Sequence, residues 1–249
     1  MTIHAKPQGE KVDYWQQPVV ITENNFRYKS LSNWACNLAI GCGHRCRFCY
    51  VPEVSTNKMK RKLAKHGVQD PDAEWGDYVL LRQWDENAFL NSVRLAENTP
   101  TSKLKADGNR AVIFCSTTDP YQHIVHPNRD RQKQLAEHLT FIVRRSLELI
   151  RDYSTLNVRI LTRNPLAERD FDLYRTFGNR LVFGMSIPTL REDFARIYEP
   201  HVARPALRLA TLRAAKEAGL HVFAAMAPTY PECDEADLRA TMTALKELA

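Results

Sequence analysis

The chain has 249 residues, a formal net charge of +6 and a hydrophobic content of 44%. This length can bury a substantial core, as one large or two smaller domains. The sequence contains no apolar run of about 18 residues, so no membrane-spanning helix is expected. It also has no apolar leader after Met1 and only six cysteines, a pattern that favours a cytoplasmic protein over a disulfide-rich secreted one.

The N-terminal residues 1–30 are polar, carry Pro7 and Pro18, and show no sustained period. We interpret them as a lead-in segment with a short strand at Val19–Thr22, followed by a core domain over 31–249. The apolar run Cys36–Ile40 predicts the first strand of that core.

Three of the six cysteines then follow within eight residues, in the spacing C-x3-C-x2-C. They are Cys42, Cys46 and Cys49. Thiolate sulfur suits zinc, copper(I) or iron–sulfur clusters. Structural zinc sites and closed 4Fe–4S clusters use four protein ligands. A set of three therefore leaves one metal position open to another molecule, which predicts chemistry rather than scaffolding.

Residues 54–82 are charged and irregular, and we interpret them as an insertion over the surface. They include the dense basic run Lys58–His66. Two readings of this run stay open: a solvated surface segment, or a contact with phosphate or nucleic acid.

The remainder alternates between helical and extended patterns. Helices are predicted over 85–97 with Asp85 as N-cap, over 128–152, around 169–177, over 205–218 and at the C-terminus. Apolar runs predict strands at 111–115, 158–162, 180–186 and 220–227. Five β/α units imply a parallel sheet with outer helices, which is too few for a closed eight-stranded barrel. We expect a partial (β/α) barrel whose C-terminal part is missing, because the last helix has no capping glycine.

In parallel α/β sheets, ligands bind beyond the carboxyl ends of the strands. Ser116, Thr118 and Asp119 follow one predicted strand, and Arg163 and Ser186 follow the next two. Such groups suit a ligand with an ammonium and a carboxylate, which Asp119 and Arg163 would bind respectively. The alternative is structural: the first three residues also form a good turn or N-cap, Arg163 can cap a turn, and Ser186 can simply end its strand.

Other reactive side chains are assigned to the structure rather than to chemistry. His44 is interpreted as a loop residue inside the cysteine motif. Cys36, Cys115 and Cys233 are interpreted as buried small hydrophobic residues. Tyr230 and Cys233 follow the last predicted strand but receive no role.

The cysteine spacing, with Phe48 before the last cysteine and Tyr50 after it, resembles the radical S-adenosylmethionine (SAM) superfamily. Within it, the chain is similar to the spore photoproduct lyase-like group. The supporting stretches lie at 41–50, 116–122, 160–164, 185–187, and 199–219. Together they cover roughly residues 33–232.

The resemblance implies that Cys42, Cys46 and Cys49 bind a 4Fe–4S cluster whose open iron chelates SAM. It further implies that the stretch from Ser116 through Thr118 to Asp119 contacts the SAM amine, and that Arg163 contacts its carboxylate. Ser186 would lie near the ribose or methionine moiety and Tyr50 near the adenine. A reductant such as flavodoxin or ferredoxin would supply one electron, making the protein oxygen-sensitive.

The resemblance leaves the substrate open. A small molecule is the first expectation, and DNA or RNA repair or modification is the alternative, because no C-terminal DNA-binding hairpin is recognisable. Transfer of a 3-amino-3-carboxypropyl group, as in the arsinothricin pathway, is a further variant. The non-enzymatic alternative is a zinc-stabilised nucleic-acid-binding module.

Overall fold

The computed structural model describes residues 10–25 and 31–248. Within them the chain forms nine strands and eight α-helices, joined by turns and short 3₁₀ segments. The strands are β1 (Val12–Pro18), β2 (Ile21–Glu23), β3 (Trp34–Cys36), β4 (Ala39–Gly41), β5 (Val79–Gln83), β6 (Ala111–Phe114), β7 (Asn157–Thr162), β8 (Leu181–Ser186) and β9 (His221–Ala225). The helices are α1 (Val51–Val54), α2 (Lys60–Leu63), α3 (Glu86–Glu97), α4 (Arg129–Tyr153), α5 (Phe171–Arg175), α6 (Glu192–Tyr198), α7 (Pro205–Glu217) and α8 (Glu235–Lys246).

The main sheet has six strands in the order β2-β3-β6-β7-β8-β9. Neighbouring strands in the series β3, β6, β7, β8 and β9 pair in parallel, and β2 pairs antiparallel with β3. This confirms the predicted α/β class with a parallel sheet. Since the described strands end at β2 on one side and β9 on the other, closure into a partial barrel stays a prediction.

The predicted first strand, Cys36–Ile40, is wrong as a single element. Cys36 ends β3, which pairs with β6 in the main sheet, whereas Ile40 lies in β4 of a separate three-stranded sheet, β1-β5-β4. The chain changes sheets at Asn37-Leu38. There the Asn37 side-chain oxygen accepts hydrogen bonds from the amide and hydroxyl of Thr117, which holds this switch against the end of β6.

Two further corrections concern segments whose polar composition concealed short strands. The described part of the lead-in contains β1, which pairs in parallel with β5, and the predicted strand at Val19–Thr22 is found as Ile21–Glu23. The segment 54–82 is not irregular: it contains α2, 3₁₀ turns and most of β5. The two-domain division at residue 30 stays a prediction, and residues 1–9 and 26–30 lie outside the described part of the chain.

The helices agree closely with the sequence pattern. Asp85 and Asn128 are the N-caps of α3 and α4, accepting hydrogen bonds of 3.0 Å from the amides of Ala88 and Arg131. These side-chain acceptors satisfy amides that the first turn leaves unpaired. Helix α6 was missed because its seven residues are too few to establish a period. In the described residues, none of the helices is long and apolar enough to cross a membrane.

Candidate active site

The carboxyl ends of β6, β7 and β8 and the loop after β4 surround one cavity of about 310 Å³. Every candidate residue of the sequence analysis lines this cavity: Tyr50, Ser116, Thr118, Asp119, Arg163, Ser186, Cys42, Cys46 and Cys49. The topology explains this convergence. Strands β6, β7 and β8 are neighbours in parallel, so their ends lie at the same edge.

The cysteine loop begins at a position that only glycine occupies comfortably. Gly41 has φ +84°, and a Cβ there would lie 2.2 Å from the Tyr78 carbonyl oxygen. At Gly43, a Cβ would lie 2.9 Å from the His123 carbonyl oxygen. The first residue needs the left-handed region and both need the close backbone approach. These glycines therefore allow the loop to turn tightly from β4 into the cavity.

Side chains that follow β6 fasten the loop in place. Thr118 donates a hydrogen bond of 2.7 Å from its hydroxyl to the Gly41 carbonyl. Gln122 accepts from the Gly43 amide at 2.8 Å and donates to the Thr118 hydroxyl at 2.7 Å. On its other side, the loop donates from the Arg47 amide to the Tyr198 carbonyl at 2.9 Å. The loop is thus bound to two separate parts of the fold.

The three thiols of the loop line the same cavity, where Cys42 and Cys46 are buried and Cys49 is partly buried. Burial raises the pKa of Cys42 to about 12, with the Asp119 charge and Cys49 adding to the effect. Burial likewise raises the pKa of Cys46 and Cys49, and Cys42 contributes further to the rise at Cys46. These thiols stay protonated at neutral pH unless a cation stabilises the thiolates, as a bound metal does.

This donor set fits an iron–sulfur cluster. A 4Fe–4S cluster binds each thiolate through a different iron, so its ligands surround a volume rather than a point. The fit rests on the chemistry of three thiols that line one cavity; within the described residues, no three Cys, His, Asp or Glu side chains form a group for a single metal ion. Cys42, Cys46 and Cys49 would hold the cluster.

Asp119 joins the ends of β6 and β7. Its Oδ1 accepts from the Tyr121 amide at 2.8 Å and the Thr162 hydroxyl at 2.7 Å, and its Oδ2 accepts from the Arg163 amide at 2.9 Å. The side chain is buried but still lines the cavity. A carboxylate has about four acceptor sites, so Oδ2 retains capacity for one more donor. The structural and the ligand-binding interpretations of Asp119 are therefore compatible.

Arg163 is held by two residues that the sequence analysis assigned no role. Its Nε donates to Glu199 Oε1 at 2.7 Å, and Arg208 Nη2 donates to Glu199 Oε2 at 2.6 Å. Arg208 Nη1 also donates to the Ser186 carbonyl at 2.8 Å. Burial opposes ionisation of Glu199, but the two guanidinium groups hold its pKa below the ordinary value. Glu199 is the C-cap of α6 and Arg208 lies within α7, away from any strand end, so no strand-end pattern indicates them.

His44 and Cys115 both line the cavity. His44 is a residue of the loop, as interpreted from the sequence, and it is buried in the cavity wall with Nδ1 3.6 Å from Asp119 Oδ2. Burial is the main reason that its pKa is lowered. Cys115 is buried as predicted, yet it also lines the cavity and has φ +59°. Cys36 is buried, whereas Cys233 is only partly so.

Tyr50 and Ser186 frame the rest of the cavity. The Tyr50 hydroxyl donates to the Ser116 carbonyl at 3.1 Å, so this residue bridges the cysteine loop and the end of β6. The residue is 44% exposed and lines the cavity. Ser186 is buried at the end of β8.

Comparison with known proteins gives a distant but consistent result. No protein-family model matches the chain. The uncharacterized protein ORF301 of Acidianus two-tailed virus is 33% identical over 214 residues, covering 84% of this chain and 60% of that protein.

Solved structures of spore photoproduct lyase are also similar. A mutant of that enzyme gives a TM-score of 0.60 at 17% identity, with 95% of this chain and 56% of the other covered. A mutant with bound AdoMet and dinucleoside spore photoproduct gives a TM-score of 0.58 at 19% identity, and the match covers 95% of this chain and 56% of the mutant's chain. The chain thus spans little more than half the length of the proteins it matches. At this level of sequence identity the similarity concerns the fold alone. In its fold the chain resembles spore photoproduct lyase, as the sequence resemblance predicted.

Proposed function

We propose that this protein is a radical SAM enzyme, which binds a 4Fe–4S cluster through Cys42, Cys46 and Cys49 and cleaves SAM reductively. One observation carries the proposal: three thiols, two buried and one partly buried, line one cavity with a carboxylate and a guanidinium in a spore photoproduct lyase fold. When bound, the cluster supplies an electron that breaks a carbon–sulfur bond of SAM and starts radical chemistry.

The chain's own residues would bind and orient SAM. Asp119 Oδ2 accepts the ammonium group, and the Nη end of Arg163 binds the carboxylate in a bidentate grip. Ser116 and Thr118 lie beside the amine, Ser186 beside the ribose or methionine part, and Tyr50 beside the adenine. The tight loop from Gly41 to Tyr50 keeps the metal ligands and this ligand pocket in contact.

The decisive experiment is product analysis after anaerobic reconstitution and reduction. Incubation with SAM and dithionite should yield 5′-deoxyadenosine. A 2-aminobutyrate-type product would instead indicate the 3-amino-3-carboxypropyl variant. If iron- and sulfide-loaded protein cleaves no SAM under these conditions, the proposal is wrong. A colourless protein with one zinc would support the non-enzymatic nucleic-acid module.

For the substrate, we propose a small molecule as the first candidate. A nucleic-acid lesion is the second candidate, supported by the neighbour solved with dinucleoside spore photoproduct. Stimulation of SAM cleavage by DNA or RNA, with salt-sensitive binding through 58–65, would favour the second candidate. An unchanged rate with both polymers would remove it.

Two further expectations belong to this proposal. The electron would come from a flavodoxin or ferredoxin, and the protein would work in the cytoplasm. The second expectation is supported by all six cysteines being free thiols in the structure.

A further inference from the structure

Arg163 belongs to a chain of three charged side chains that reaches from the cavity into the core. Glu199 and Arg208 both have fully buried side chains, whereas the side chain of Arg163 is 22% exposed. Glu199 uses one carboxylate oxygen for each guanidinium, at 2.7 Å and 2.6 Å. Arg208 is fixed in turn by the Ser186 carbonyl. Every member except Arg163 is therefore immobilised by bonds that do not involve a ligand.

The contact with Glu199 uses only the Nε side of Arg163. No hydrogen bond joins the Nη atoms of Arg163 to any other described residue, and the side chain lines the cavity. The guanidinium has five donors in a rigid plane. The bond from Nε to Glu199 therefore also sets the direction of the two Nη atoms at the other end of the guanidinium. The centroid of the Phe48 ring lies 5.6 Å from the guanidinium carbon of Arg163, so this ring limits movement of the guanidinium towards one side.

The local charges also match the ligand. Asp119 and Glu199 contribute two carboxylates, and Arg163 and Arg208 contribute two guanidinium groups, so the group is balanced. A zwitterion, with an ammonium at Asp119 and a carboxylate at Arg163, preserves this balance. At these two positions, an ammonium alone or a carboxylate alone would leave an uncompensated charge in a poorly solvated place.

We infer that Glu199, held by Arg208, is a positioning residue that aims the Nη end of Arg163 at the carboxylate of the amino-acid part of SAM. This inference rests on the proposed function but adds a role for two residues that do not line the cavity. Without Glu199, Arg163 would keep its charge and lose its direction, so affinity for the carboxylate would fall while the other SAM contacts remained.

The test is a comparison of two ligands in the oxidised, cluster-loaded protein, where binding is measured without turnover. The ligands are SAM and decarboxylated SAM, which lacks only the carboxylate. Isothermal titration should show that E199Q weakens SAM binding about 10- to 100-fold, the loss expected for a charge-assisted contact. The same substitution should leave the affinity for decarboxylated SAM within about twofold of the wild-type value.

A control and a second variant address folding. Glu168 also bonds to α7, through the Thr211 hydroxyl, but it does not line the cavity, so E168Q should change neither affinity. If E199Q does not fold, E199D retains the charge and is too short to span both guanidinium groups. It should show the same selective loss.

Epistasis gives a third criterion. In an R163M background, E199Q should cause no additional loss of SAM affinity, since its effect operates through Arg163. Equal weakening of both ligands by E199Q would show a merely structural role and overturn the inference, as would an unchanged SAM affinity. Failure of the wild-type protein to bind SAM at all would instead count against the proposed function.

Discussion

The two walls of the cavity are built in opposite ways. The cysteine loop is held by its backbone, through Gly41, Gly43 and bonds with Thr118 and Gln122. Its thiols are buried or partly buried, and burial raises the pKa of each. The other wall consists of Asp119 and Arg163 at the strand ends, backed by Glu199 and Arg208, and its charged groups bond to one another and to the backbone. We call the cysteine loop the incomplete wall, because its backbone is fixed but its thiols need a cation before they ionise. We call the other side the electrostatically complete wall, because its carboxylates and guanidinium groups balance one another. The contrast indicates that the loop binds a metal group and the strand ends orient an organic ligand.

The largest expected effect tests the incomplete wall. Cys46→Ala should abolish cluster assembly, because two remaining thiolates cannot hold three irons. Iron and sulfide analysis after anaerobic reconstitution measures this directly. Cys36→Ala is the matched control, because Cys36 is a buried thiol that does not line the cavity. This variant should bind as much iron and sulfide as the wild-type protein. A full 4Fe–4S cluster in the Cys46→Ala protein would refute the ligand assignment.

The next effect tests the backbone of the same wall. Gly41→Ala places a Cβ 2.2 Å from the Tyr78 carbonyl oxygen at φ +84°, so we expect a loss of about 3 kcal/mol in the free energy of unfolding, with poor cluster retention. Gly178 also has positive φ, at +55°, but nothing lies within 4 Å of its Cβ position. Gly178→Ala should therefore cost only about 1 kcal/mol. Equal losses in urea denaturation would contradict the close-approach argument.

A smaller effect is expected at the electrostatically complete wall. Asp119→Asn replaces one acceptor oxygen by a donor that faces the donors of Tyr121, Thr162 or Arg163. We expect a loss of about 2 kcal/mol and weaker SAM binding. Asp152→Asn, at a half-exposed pair with Arg151, should change stability by about 0.5 kcal/mol or less. Comparable stability in both variants would show that Asp119 is not a structural link.

The smallest effect concerns pH in the metal-free protein. Burial raises the pKa of Cys36 to about 12 from 9.0. Above pH 9 the unfolded chain therefore loses this proton while the folded chain keeps it, so stability falls as pH rises from 9 towards 12. By pH 10 this thiol should account for about 1.4 kcal/mol of the loss. Denaturation at pH 7, 9 and 10 should show a shallower decline for Cys36→Ala, and parallel curves would count against a buried thiol there.

Much of this organisation was readable from the sequence because it depends on local patterns. The N-cap Asp85, the apolar runs of β6 to β9 and the cysteine spacing are each defined by residues that lie within a few positions of one another. The convergence of Asp119, Arg163 and Ser186 followed from the rule that parallel strands present their carboxyl ends together.

What the sequence did not predict depends on distant pairing. β5 is recognisable as a strand only through its partners β1 and β4, since charged residues surround it. Glu199 acquires its role from Arg163 and Arg208, which lie 36 and 9 residues away in the chain. His44 reads as a polar loop residue until the fold buries it beside Asp119.

The central claim is that the two walls meet around a SAM-binding cluster, and one spectroscopic measurement tests it most directly. Electron paramagnetic resonance of the anaerobically reconstituted, dithionite-reduced protein should show a reduced 4Fe–4S signal that shifts when SAM is added. The shift should be lost in the Cys46→Ala protein together with the signal itself. A reconstituted protein that shows no cluster signal, or a signal that SAM leaves unchanged, would contradict the account.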